Sequence, residues 1–168
     1  MNDLLAKISS YDLFNNLIPG AIFVFFLSAT GIYSLTAETI VGNLVVYYFV
    51  GLVISRIGSI LIEPLLRFLG VVSFGKYEDF ITASSKDPKI LTLLESSNLF
   101  RTILALVLVC FVAFNWDVVA LWLPLSQRTW GALLCGFVAL LFLLSYRKQT
   151  EFIRKRVAHH RGSPNAAD

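Results

Sequence analysis

A chain of 168 residues that is 57% hydrophobic and only 15% charged, with a net charge of +3 and a mean hydropathy of +0.73, lies far from soluble domains, which are about one quarter charged. This composition excludes a disordered polar chain and argues against an ordinary soluble domain. The expectation is an integral membrane protein with about four spans, since each needs roughly 20 apolar helical residues to cross about 30 Å of hydrocarbon.

The first 16 residues read as an interfacial entry helix. Leu4, Leu5, Ile8 and Tyr11 have helical spacing, and Ser9 with Asp12 approximates a capping box. A first span is expected over 17–36, with Pro19 and Gly20 in its opening turns, where a missing N–H is tolerated. Asp3 and Asp12 beside Lys7, and the lack of a small-residue cleavage site, favour a retained span over a removed signal peptide.

The second span, 40–62, contains the most informative stretch, GLVISRIGSILIEPLLR from Gly51 to Arg67. At about 100° per residue, Gly51, Ser55, Gly58 and Ser59 share one stripe, the small-residue pattern that lets another helix backbone approach. Arg56, Glu63 and Arg67 fall on a different face, roughly 100° round. Arg56 lies about 10 Å from Glu63 along the axis, within snorkelling range of the boundary. Two readings follow. Arg56 snorkels while Glu63 and Arg67 form a boundary ion pair that locks the bundle, or Arg56 and Glu63 line a hydrated path. In the outer half, Asn43 is expected to bond to a neighbouring helix or to outer water.

Pro64 is expected to end or kink this helix, and Gly70 to terminate a short extension. The loop 63–98 is apolar enough to be structured, with short helices over KYEDFITASS and DPKILTLLESSN. Its 64–98 portion offers a surface for a cytoplasmic protein partner. Ser97 or Asn98 would cap a third span over 99–115, which opens with Arg101 at the water interface. A fourth span is expected over 129–146, its helix running on into a basic tail, 147–168. There Arg147, Lys148, Arg154, Lys155, Arg156 and Arg161 would face an anionic leaflet, each worth about 1 kcal/mol.

Lysine and arginine are absent between spans one and two, and only Arg128 lies between spans three and four. The positive-inside rule then places both termini and the 63–98 loop in the cytoplasm of a cell whose inner membrane holds the chain. Trp116, Trp122 and Trp130 gather at the opposite, outer boundary, where indole rings prefer to sit.

No catalytic or cofactor motif is present: no G-x-S-x-G, no H-E-x-x-H, no phosphate-binding glycine loop. Cys110 and Cys135 form no C-x-x-C pair, and His159 with His160 diverge on a helix, so neither a redox pair nor a metal site is expected. Nucleic acid is not expected, because the basic tail lacks interleaved aromatics. The expected fold is therefore all-α: a four-helix transmembrane bundle with an N-terminal interfacial helix, a helical cytoplasmic loop and a basic helical tail. The expected function is a non-enzymatic structural or interaction subunit of a membrane complex, meeting a second copy of itself or another membrane protein. The alternative is an oligomeric pore or permeability effector with Arg56 and Glu63 in a hydrated path.

Overall fold

The computed structural model describes residues 2–75 and 77–162, with side-chain surroundings for 14–75 and 77–158. It is all-helical, with no strand among the described residues. In chain order the helices are α1 (Asn2–Ala29), α2 (Ile40–Ile57), a π-helical turn (Gly58–Ile62), α3 (Glu63–Phe68), α4 (Tyr77–Lys86), α5 (Lys89–Phe114), α6 (Trp116–Trp122) and α7 (Gln127–Gly162).

Three helical stretches are long and apolar enough to cross a membrane: Ile40–Phe68, Lys89–Phe114 and Gln127–Ala158. The described part of α1 adds a shorter apolar helix, Phe14–Ala29. Several boundaries differ from the sequence expectation, and each has a local cause. The entry helix and the first span are one helix, because Pro19 is accommodated inside it. This helix ends at Ala29 rather than at 36. Gly31 adopts φ 69°, and the N–H groups of Gly31 and Ile32 return to the carbonyls of Ser28 and Leu27 at 3.2 and 3.1 Å, a Schellman closure. Of the entry segment, the side chains of 1–13 lie outside the described residues.

The second span does not stop at Pro64. The proline follows the π-helical turn directly, at the start of α3, and the helical run continues to Phe68. Gly70, at φ 71°, then closes it with Gly70 N–H on the Arg67 carbonyl and Val71 N–H on that of Leu66. Ser97 and Asn98 cap nothing, since the second loop helix and the third span are one continuous α5. Between α5 and α7 the short α6 was not anticipated; it begins where Asn115 Nδ2 caps the Phe111 carbonyl at 2.8 Å.

Packing centres on α1, α2 and α5. Ile54, Ile62, Ala105 and Leu106 form the buried cluster, flanked by Phe23, Val50 and Cys110. α1 and α2 touch backbone to backbone: a Cβ added to Gly20 would lie 1.7 Å from the Tyr47 carbonyl oxygen, and one added to Gly51 would lie 1.6 Å from that of Asn16. Such an approach lets the helices gain dispersion contacts that larger residues would prevent. α7 meets the rest along a narrower seam, with Leu141 buried and Phe142 stacked on Phe49 at 6.4 Å. At the far end of the same helix Phe152 meets Tyr77 of α4 at 5.7 Å.

Candidate functional site

The site is built by the π-helical turn. Glu63 N–H bonds to the Gly58 carbonyl five residues back instead of four. One extra residue in a turn rotates everything downstream by roughly 100° about the axis. That rotation carries Glu63 off the face it would share with Arg56 and onto the stripe of Gly51, Ser55, Gly58 and Ser59, all of them buried. Glu63 is consequently only 7% exposed.

A buried carboxylate is stable only when its charge and lone pairs are matched. Glu63 meets three cations from three elements. Arg67 of α3 donates from Nη2 to Oε1 at 3.0 Å. Arg101 of α5 donates from Nη1 to Oε2. Lys148 of α7 donates to Oε1 at 3.2 Å and, at 3.0 Å each, to the Ser59 carbonyl and hydroxyl. One carboxylate thus ties three long helical stretches together. The accompanying charges are unequally shielded: the Arg67 side chain is half exposed, whereas those of Arg101 and Lys148 are 21% and 31% exposed. Arg67 also lies over the Phe74 ring, 4.1 Å from its centroid, a cation–π contact that holds the loop beyond α3.

A second polar group lies between α1, α2 and α5. The Thr102 hydroxyl of α5 donates to the Asn98 carbonyl at 2.9 Å and lies 3.4 Å from Asn15 Oδ1 of α1, and Asn15 Nδ2 donates to Ser55 Oγ of α2 at 3.5 Å. All three residues are buried. Bonds of this length are weak, and interhelical side-chain bonds in membranes average about 0.6 kcal/mol. They give partners to part of the polar surface where three helices meet, while Asn16 Oδ1 beside them is buried without one.

The residues singled out from sequence are distributed as follows. Gly51 and Ser55 face α1 through Asn16 and Asn15, Gly58 faces the Arg101 backbone of α5, and Ser59 holds Lys148 of α7. Glu63 and Arg67 are brought together, but Arg56, partly buried, contributes none of the ion pairs to Glu63. Lys148 departs from the other tail cations. It turns inward because it lies seven residues from buried Leu141, on the same helical face. Arg147, Arg154, Lys155 and Arg156 are exposed, and Lys155 pairs with Glu151 at 2.9 Å. The side chains of Arg161, His159 and His160 lie outside the described residues. Asn43 clamps the loop before its own helix, accepting from Ala37 N–H at 2.8 Å and donating to the Ala37 carbonyl at 3.1 Å. Cys110 and Cys135 are free thiols.

The functional residues that sequence reasoning did not group with Glu63 are Arg101, Lys148 and Ser59 as a ligand. The available signal was charge bordering an apolar run in each of three separate spans. At one end of this cluster α3 and α7 leave an open cleft of about 340 Å3, bordered by Glu63, Arg67, Lys148 and Lys155. No protein-family model, curated protein or solved structure matches this chain.

Proposed function

We propose that the protein is a four-span, non-enzymatic subunit of a complex in the inner membrane, with both termini and the 63–98 loop in the cytoplasm. In this reading α1 is the remaining span. At 28 residues it is about 42 Å long, enough to cross with part of its length at the interface. The lysine and arginine distribution supports the orientation, and it sets the Glu63 cluster at the cytoplasmic boundary.

The observation that carries the interaction role is the uncovered face of α7. The small-residue stripe of α2 is consumed within the chain, so a second subunit has to meet a different surface. On α7 a Cβ at Gly131 or Gly136 would touch nothing, and Cys135 between them is exposed. Gly131 with Cys135, and Ala132 with Gly136, are four apart, the spacing at which small residues let another helix dock. The cytoplasmic loop and the exposed tail cations supply a further surface, for a soluble partner and the anionic leaflet. Glu63 supports a structural rather than a conducting role, because both its oxygens are already engaged by cations.

The test uses the native thiol. Maleimide cross-linking of native membranes is expected to give a product of higher mass, with a second copy or a co-purifying membrane protein, that disappears in Cys135→Ser. Recovery of monomer alone, with no protein co-purifying, would refute the reading.

A further inference from the structure

We infer that the cleft between α3 and α7 is a binding site for the phosphate headgroup of an anionic phospholipid. The inference rests on the cytoplasmic-boundary placement proposed above and adds a ligand to it.

Charge is the first support. Arg67, Arg101, Lys148 and Lys155 stand in or directly behind the cleft against two carboxylates, Glu63 and Glu151, leaving two positive charges unmatched. Partly desolvated cations of one sign raise the local potential and draw in a counter-ion. Donor capacity is the second. Lys148 has three N–H groups, and all three are spent on Ser59 and Glu63. Arg67 and Lys155 have donors to spare, with side chains 50% and 51% exposed. They approach the cleft from α3 and α7, on opposite walls. A guanidinium fork on one side and an ammonium on the other suit the oxygens of a phosphodiester.

The lining distinguishes a lipid from free phosphate. Ile60, Pro64 and Phe152 form the apolar part of the cleft, and Leu61 and Leu65 beside it are exposed along the α2–α3 face. An acyl chain would lie along that face while its headgroup sat between the two cations. Inorganic phosphate would leave the apolar wall uncovered. Basic recesses between membrane helices on the cytoplasmic side are known lipid-headgroup sites as a physical class.

The full chain, purified in a neutral detergent, is to be titrated with phosphatidylglycerol and with phosphatidylcholine, and the adducts read by native mass spectrometry. A one-to-one phosphatidylglycerol adduct is expected, preferred at least tenfold over phosphatidylcholine. The preference should fall at least tenfold in Arg67→Gln/Lys155→Gln, persist in Arg67→Lys/Lys155→Arg, and be unchanged in Arg128→Gln, which removes one charge at the other end of α7. Equal retention of the two lipids, or an unchanged preference in the double glutamine variant, would overturn the inference. Displacement of phosphatidylglycerol by millimolar inorganic phosphate would overturn the lipid assignment and make free phosphate the ligand. The readout needs no partner subunit, so phosphatidylglycerol selection by a chain that native-membrane cross-linking recovers only as monomer would defeat the proposed complex without touching the site.

Discussion

Glu63→Ala is expected to destabilise the folded protein by about 3–5 kcal/mol, the usual consequence of removing one member of a buried charged cluster. The loss has two parts. The Arg101 and Lys148 side chains are mostly buried and would be left without a counter-charge, and the link between α3, α5 and α7 would disappear. At about 2–4 °C per kcal/mol for a chain of this size, the unfolding midpoint in detergent should drop by roughly 6–20 °C. Arg67→Ala should be far milder, about 1 kcal/mol or less, because that half-exposed pair is screened by water. Intrinsic tryptophan fluorescence during a thermal ramp measures both. Equal shifts for the two variants would show that burial of Glu63 is not what gives the cluster its strength.

The second large effect is steric. Gly20→Ala and Gly51→Ala each place a methyl group well inside contact distance of a carbonyl on the facing helix, at 1.7 and 1.6 Å respectively. The obstacle is backbone, so no rotamer change relieves it and α1 must move away from α2. The cost is expected at or above the upper end of the about 1–3 kcal/mol typical of overpacking. Gly58→Ala, whose new Cβ would sit 3.2 Å from the Arg101 carbonyl, should cost less. Gly136→Ala should leave the isolated chain unchanged and weaken only its association with another helix. A ranking by unfolding midpoint in which Gly51→Ala is no worse than Gly136→Ala would contradict the α1–α2 contact.

The helical class and the apolar helices long enough to span a membrane were legible in the sequence, because twenty-residue apolar runs leave a chain in lipid few alternatives. The finer geometry was not. In span two nearly every side chain is apolar, so periodicity carries no phase information and a constant 100° step is the only available assumption. The π-helical turn breaks that assumption at Gly58–Ile62, which is why Glu63 separates from Arg56 and joins the small-residue stripe. Lys148 was hidden for a related reason. Its neighbours in sequence are a basic tail, and only the burial of Leu141, seven residues earlier, shows which face of α7 turns inward. Asn15 falls in the expected interfacial entry helix, 1–16, ahead of a first span over 17–36. With Pro19 inside α1 instead, Asn15 becomes a buried link to Ser55.

These corrections bear on the choice between a lock and a path. Among the described residues, both Glu63 oxygens are engaged by cations, and Asn15 bonds to Ser55 between α1 and α2. That arrangement supports the proposed structural role, in which Glu63 acts through stability and helix registration. The most direct measurement is ion flux across liposomes holding the purified wild-type protein and Glu63→Gln. The account predicts that both remain tight. A wild-type ion current that Glu63→Gln abolishes or alters in selectivity would contradict it and establish the carboxylate as part of a conducting path.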